Sequence, residues 1–233
     1  MNITLNRVSV RVSRYRADHE YADPFRRTMT PTLDRTVRDA LVNAGTGTEA
    51  LRRASAPVGL WSRLQVEGAV AAAIRTLKWR GYPLPMVWLA DAPVVPVVSI
   101  DASAWHARSA HRLGPILDRG WWSGASDDSY VAAPARPLRI EGFLVLSSGR
   151  RLRSALGRLH TTGPVAALLP AMDALDTVEL MHCDLYGYSV VAALGGSADL
   201  LVDGGQWKPP GGHVHFQRML REEQLFDIAL RSA

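Results

Sequence analysis

Two short segments of this chain carry residue types that can do chemistry. In Gly211-Gly212-His213-Val214-His215 two imidazoles stand two residues apart, and on a strand such residues share a face. Both could then reach one divalent ion, with the glycine pair letting the backbone turn toward it and His182, Cys183 or Asp184 supplying a third ligand. The second segment, His182-Cys183-Asp184, holds the only cysteine of the chain. A cysteine is a nucleophile as its thiolate, which a neighbouring imidazole can generate. Neighbours along a strand face opposite ways, so the base for Cys183 would be His213 or His215 across the sheet rather than His182. Either arrangement describes a small hydrolase-type enzyme: catalytic Cys183, His213, His215 and Asp184, or a metal held by His213, His215 and His182. No cofactor is identified by any motif.

A second chemistry belongs to arginine. Ser147-Ser148-Gly149-Arg150-Arg151 opens a helix that also carries Arg153 and Arg158, where guanidinium groups and the first backbone N–H groups can meet an anion. Arg151 and Arg158 lie seven apart on one helix face, but Gly157 leaves the stripe from Arg150 and Arg153 without a further cation. The glycine pairs Gly195-Gly196, Gly204-Gly205 and Gly211-Gly212 fit neither dinucleotide nor P-loop spacing and read as turns. Trp121-Trp122 sits in a stretch rich in Gly, Ser, Asp and Pro, and exposed tryptophans anchor partners because they bury a large area at little entropic cost.

Composition narrows the classes. The chain has 233 residues, 47% hydrophobic and 21% charged, which suits a folded domain rather than a disordered or disulfide-stapled one. The formal charge is +5, and 25 of the 27 basic residues are arginine, a bias that GC-rich bacterial coding produces whatever the function. The charge is segregated. From Thr161 to Trp207 there is no Lys or Arg but six acids, whereas Arg136 to His160 holds six arginines against Glu141. The two stretches are expected to fold against each other. The most apolar run, Gly81 to Ile100, is broken by four prolines and Asp91 and reads as strands rather than a membrane span. With a single cysteine and no secretory leader pattern at the N-terminus, the expected location is cytoplasmic.

The elements that must position these residues follow from periodicity. Ile3 to Val12 alternates as a strand with a bulge at Asn6-Arg7, and Thr30-Pro31 caps a helix that Gly45 stops. A helix over Leu60–Arg80 precedes strands at Met86–Ala90 and Val94–Ile100, and Asp101 or Ser103 caps a short helix through Leu113. Trp121 to Pro137 reads as a loop. Beyond it come a strand at Leu138–Ser147, helices at Arg150–Leu159 and Val165–Leu175, and a hairpin over Val178–Leu194 interrupted at Tyr186-Gly187-Tyr188. Short strands at Leu200–Val202 and His213–Phe216 and a helix over Arg218–Arg231 complete the chain. Strands and helices do not alternate strictly, so the expectation is an α+β fold with a mixed or antiparallel sheet and packed helices. It forms one compact unit or two lobes, residues 1–120 and 138–233, joined by 121–137. The leading functional expectation is a non-enzymatic binding or assembly protein. Its partner is a protein, with nucleic acid the weaker choice and no membrane. Recognition would run through Trp121, Trp122 and the face of Arg150, Arg151, Arg153 and Arg158.

Overall fold

The computed structural model describes residues 63–124, 134–171, 176–194, 196–208 and 214–232. The strand expected at Ile3–Val12, the helix after Thr30-Pro31, and His213 lie outside the described residues. The elements are α1 (Arg63–Thr76), β1 (Tyr82–Pro83), β2 (Val87–Leu89), β3 (Ala92–Ile100), α2 (Ala102–Ala110) and α3 (Arg119–Gly124). They continue with β4 (Leu138–Val145), α4 (Gly149–His160), β5 (Val165–Pro170), α5 (Thr177–Leu185), β6 (Ser189–Leu194), β7 (Ser197–Val202) and α6 (Val214–Ser232).

One mixed sheet runs in the order β1-β3-β4-β5-β6-β7, with β2 also paired to β3. The β4–β5 and β5–β6 joints are parallel and the others antiparallel. The fold is therefore α+β with a mixed sheet and packed helices. The sheet runs unbroken from the strands before Trp121 to those after Pro137, because β3 pairs with β4 from Val94↔Val145 to Ile100↔Leu138.

Helices cover both faces. On one, α1 lays Val66, Ala69, Val70 and Ala73, at helical spacing, against Val95, Val97, Leu144, Ala166, Leu168 and Val191. On the other, Leu152, Ala155, Leu156 and Leu159 of α4 join Trp105, Leu225, Phe226 and Ala229 over Val94, Val98, Phe143, Val145 and Ala167. A central strand covered on both faces reads as a continuous apolar run. That is why Val165–Pro170 is strand β5 and not the start of a helix: its residues are buried in alternation on both faces.

The alternation changes phase once in β4. Val97 pairs with Gly142 and Val98 with Ile140, so Glu141 is an extra, bulged residue. The bulge lets Ile140 and Phe143, three apart, both enter the α4-side core. Next to it, a Cβ on Gly142 would overlap the Trp79 indole, so the glycine admits that ring onto the strand. The β2–β3 hairpin turns on Ala90 and Asp91, both at positive φ (51° and 64°), the geometry of a two-residue type I′ turn. Asp91 tolerates this conformation and also accepts from Arg158 of α4 at 2.7 Å.

Three further expectations are corrected. The segment expected as a hairpin over Val178–Leu194 is helix α5 followed by strand β6. Asp176 caps the helix and its oxygen accepts from the Glu179 N–H at 2.7 Å. Gly187, at φ 70°, closes it, with Tyr188 N–H reaching Cys183 O and Gly187 N–H reaching Asp184 O. The supposed hairpin interruption is thus a helix stop. The strand expected at His213–Phe216 is also absent, since α6 begins at Val214, and Phe216 and Leu220 continue its helical spacing. Finally, the expected loop from Trp121 begins inside helix α3.

Helix α6 is fixed by two adjacent buried acids. Glu223 receives both Nη atoms of Arg108 (2.9 and 2.8 Å) and the Ile116 N–H (2.8 Å), and Arg108 also donates to the Leu113 and Gly114 carbonyls. Both side chains are at most 2% exposed. Glu222 accepts from Arg136, Arg218 and the Ile140 N–H. Removing one member of such a pair leaves a buried charge alone. Arg108→Met is expected to lower stability by about 3–5 kcal/mol, whereas Arg108→Met with Glu223→Leu recovers most of the loss. Urea denaturation of the three proteins measures this, and a single variant within 1 kcal/mol (roughly the surface-site range) would contradict it.

Candidate functional site

The described residues singled out in the sequence lie on α3, α4, α5 and α6. With 100° between residues, α5 turns Leu180 and Cys183 inward, where they pack with the α4-side core. Val178, Met181 and Leu185, at i, i+3 and i+7, fall on the opposite side and are 74%, 67% and 79% exposed. Tyr186, at the helix end, is 54% exposed. The same geometry places Glu179 and Asp184 on the two flanks of this apolar stripe. Glu179 pairs with Arg153 of α4 at 3.0 Å.

Because His182, Cys183 and Asp184 lie on a helix, their side chains diverge by about 100° from one to the next. His182 stacks toward Tyr186, with ring centroids 4.5 Å apart, and Asp184 is exposed. Cys183 is 2% exposed. Burial, and secondarily the Glu179 charge, push its thiol pKa up, which favours the protonated thiol. His215 lies in the first turn of α6, not on a strand beside α5. Among the described residues no group of three or more His, Cys, Asp or Glu is placed to hold a metal ion.

The same aromatic group continues through Tyr188 to His160 at the end of α4. His160 and Tyr188 meet edge to face at 5.1 Å, and Tyr188 stacks with Tyr186 at 5.9 Å. Burial holds the His160 pKa below its ordinary value, and its Nδ1 is buried without a hydrogen-bond partner. Burial likewise raises the Tyr188 pKa, helped by Tyr186 and Cys183. His160 is thus a neutral ring within a packed cluster.

The arginines of α4 are placed on its outer side. Arg150, Arg151, Arg153 and Arg158 are all exposed. Arg153 and Arg158 are engaged by Glu179 and Asp91, and the Arg151 guanidinium lies 5.8 Å from the centre of the Trp88 ring. Trp121 is half-buried on α3, and the side chain of Trp122 lies outside the described residues. No helix among the described residues is long and apolar enough to cross a membrane. Compared with known protein families, characterised proteins and solved structures, the chain matches none.

The exposed α5 stripe was missed by the reading of Val178–Leu194 as strand. Its signal was present: Asp176 followed by Glu179 three residues on is a helix-start pattern, and Val178, Met181 and Leu185 have helical spacing.

Two outcomes follow. Cys183 is expected to resist thiol reagents in the native protein and to react at once in denaturant, and rapid native labelling at neutral pH would contradict the buried thiol. For His160 the unfolded chain takes up its proton at a higher pH than the folded one. Its contribution to stability is therefore complete above about pH 6.5, the unfolded value, and is lost as pH falls from there through the lower folded value. Denaturation midpoints should decline through that window in the parent, and His160→Leu should flatten the decline.

Proposed function

We propose that this domain is a non-enzymatic binding or assembly module whose partner is a protein. The observation that carries the reading is the α5 stripe of Val178, Met181 and Leu185, each at least two-thirds exposed. An isolated exposed apolar residue needs no explanation, but three in one helical row form a contiguous patch of the kind that marks interaction sites.

The partner's chemistry follows from the rim. The stretch from Thr161 to Trp207 contains six acids and no Lys or Arg, and of the two acids that flank the stripe Asp184 is exposed while Glu179 is paired with Arg153. A matching segment is amphipathic, with two or three apolar anchors flanked by Lys or Arg, and its charges set register and encounter rate more than affinity. The Arg-rich face of α4 offers a second contact through Arg150 and Arg151, whereas Arg153 and Arg158 already hold acids of the same chain. Trp121 and Trp122 would extend that contact as aromatic anchors.

The test is an exchange on the stripe. Met181→Glu with Leu185→Glu should leave thermal stability within about 1 kcal/mol of the parent, because both side chains already face water. Each fully buried apolar anchor contributes about 1.5–3 kcal/mol, so the same double variant should lose at least about a hundredfold in affinity for a basic amphipathic helical peptide. Fluorescence anisotropy with that peptide and with a version carrying acids in place of its bases separates the outcomes. Equal binding of both peptides, or of parent and variant, would sink the reading. A concentration-dependent dimer that the double variant abolishes would assign the stripe to a second copy instead.

A further inference from the structure

A chain of rings joins the end of α4 to the last turn of α5. His160 meets Tyr188 edge to face at 5.1 Å, Tyr188 stacks on Tyr186 at 5.9 Å, and Tyr186 meets His182 at 4.5 Å. The Tyr188 hydroxyl lies over Gly157, 3.5 Å from where a Cβ would stand. We propose that these rings form a proton-operated latch, in which uptake of a solvent proton by His160 frees Tyr188 and loosens the last turn of α5, the turn that carries Leu185. The α5 stripe is then weakened as pH falls.

The latch is built into the stop of the helix. The Gly187 and Tyr188 N–H groups donate to the Asp184 and Cys183 carbonyls, and this closure places the buried Tyr188 ring against His160. His160 Nδ1 is itself buried and has no hydrogen-bond partner. A neutral imidazole leaves one weak polar atom unsatisfied there, whereas an imidazolium makes both nitrogens donors and adds a charge, which costs far more without an acceptor.

The surroundings offer the cation little. From the α5 side His160 faces Tyr188 and, beyond it, Tyr186, Cys183 and His182. On its other side Trp207 Nε1 donates to the His160 carbonyl at 2.8 Å, with the Arg218 guanidinium 5.0 Å from the Trp207 ring centre. That set contains no carboxylate. Of the α5 acids, Glu179 is paired with Arg153 and Asp184 is exposed, and on α4 Arg158 holds Asp91. Burial alone accounts for the lowered His160 pKa.

The sign follows from linkage. In the opened state His160 titrates near 6.5 and in the closed state below it, so each pH unit below about 6.5 favours opening by up to about tenfold, until the lower closed value is passed. Local opening costs less than global unfolding, so the end of α5 yields before the domain does.

The consequence at the stripe rests on the reading of α5 as a docking surface, but the latch does not, and the test separates them. Hydrogen–deuterium exchange of the full chain at pH 7.5 and 5.5, normalised to intrinsic amide rates, reads the opening of residues 185–188 directly. From the higher pH to the lower, opening should rise at least about threefold in the parent. It should stay constant in His160→Phe, which keeps a ring without the proton, and His182→Gln should respond as the parent does. Proton magnetic resonance of His160 Cε1–H in the parent keeps the test decisive if the variant does not fold, because a midpoint at or above about 6.5 would overturn the latch. Affinity for the basic amphipathic peptide should fall at least about threefold over the same interval in the parent and hold steady in His160→Phe. Opening that depends on His160, with a peptide that binds at neither pH, supports the latch and removes the docking role. Opening that ignores pH, that changes equally in His160→Phe, or that is confined to the segment around Trp207 overturns the proposal.

Discussion

The arrangement of the helices on one face of the sheet depends on Glu222 and Glu223. These neighbours on α6 are nearly inaccessible to water, and each is surrounded by donors from a different part of the chain. Glu223 draws in α2 through Arg108 and the connection after it through Ile116, and Glu222 draws in β4 through Ile140 and the segment before it through Arg136. Adjacent helical residues point about 100° apart, so one dipeptide can fix α6 in two directions at once. Desolvation of a charge is costly, and only nearly complete hydrogen bonding offsets it. The packing of Phe226 against Trp105, edge to face at 5.1 Å, and the Arg108 guanidinium over the Phe226 ring, then close the surrounding core.

This constraint also explains what could be read from the sequence and what could not. The α4 and α6 helices, each with one wet face, announce themselves by spacing, β3 and β4 were legible as apolar runs although both their faces are buried, and Asp101 caps α2 as its position suggested, accepting from Ser103 Oγ and Ala104 N–H. Strand β5, buried on both faces, has no period to reveal it, and α5 was mistaken for strand because Tyr186-Gly187-Tyr188 imitates a turn between β segments. Glu222 and Glu223 read as the solvated side of an amphipathic helix, since nothing local marks an acid as buried. Apart from Arg218, one turn before Glu222, their partners lie 82 to 115 residues away in the chain.

The candidate site was legible only in its ingredients. The clustering of arginine before Thr161 and of acids after it is real in space at one point, where Arg153 meets Glu179 between α4 and α5. Such a half-exposed pair contributes little to stability.

The contrast between α4 and α5 bears on which of these features reflects function. Both cross over between parallel strands on the same face of the sheet, and both meet the same structural demand. Helix α4 satisfies it with four inward apolar residues and an outer side of arginines, the ordinary division of an amphipathic surface helix. Helix α5 buries only Cys183 fully, with Leu180 partly buried, yet presents Val178, Met181 and Leu185 to water. Polar residues at those three positions would serve the fold equally well and lower the tendency to self-associate. The apolar row therefore has no explanation within the described fold, and contact with another surface supplies one.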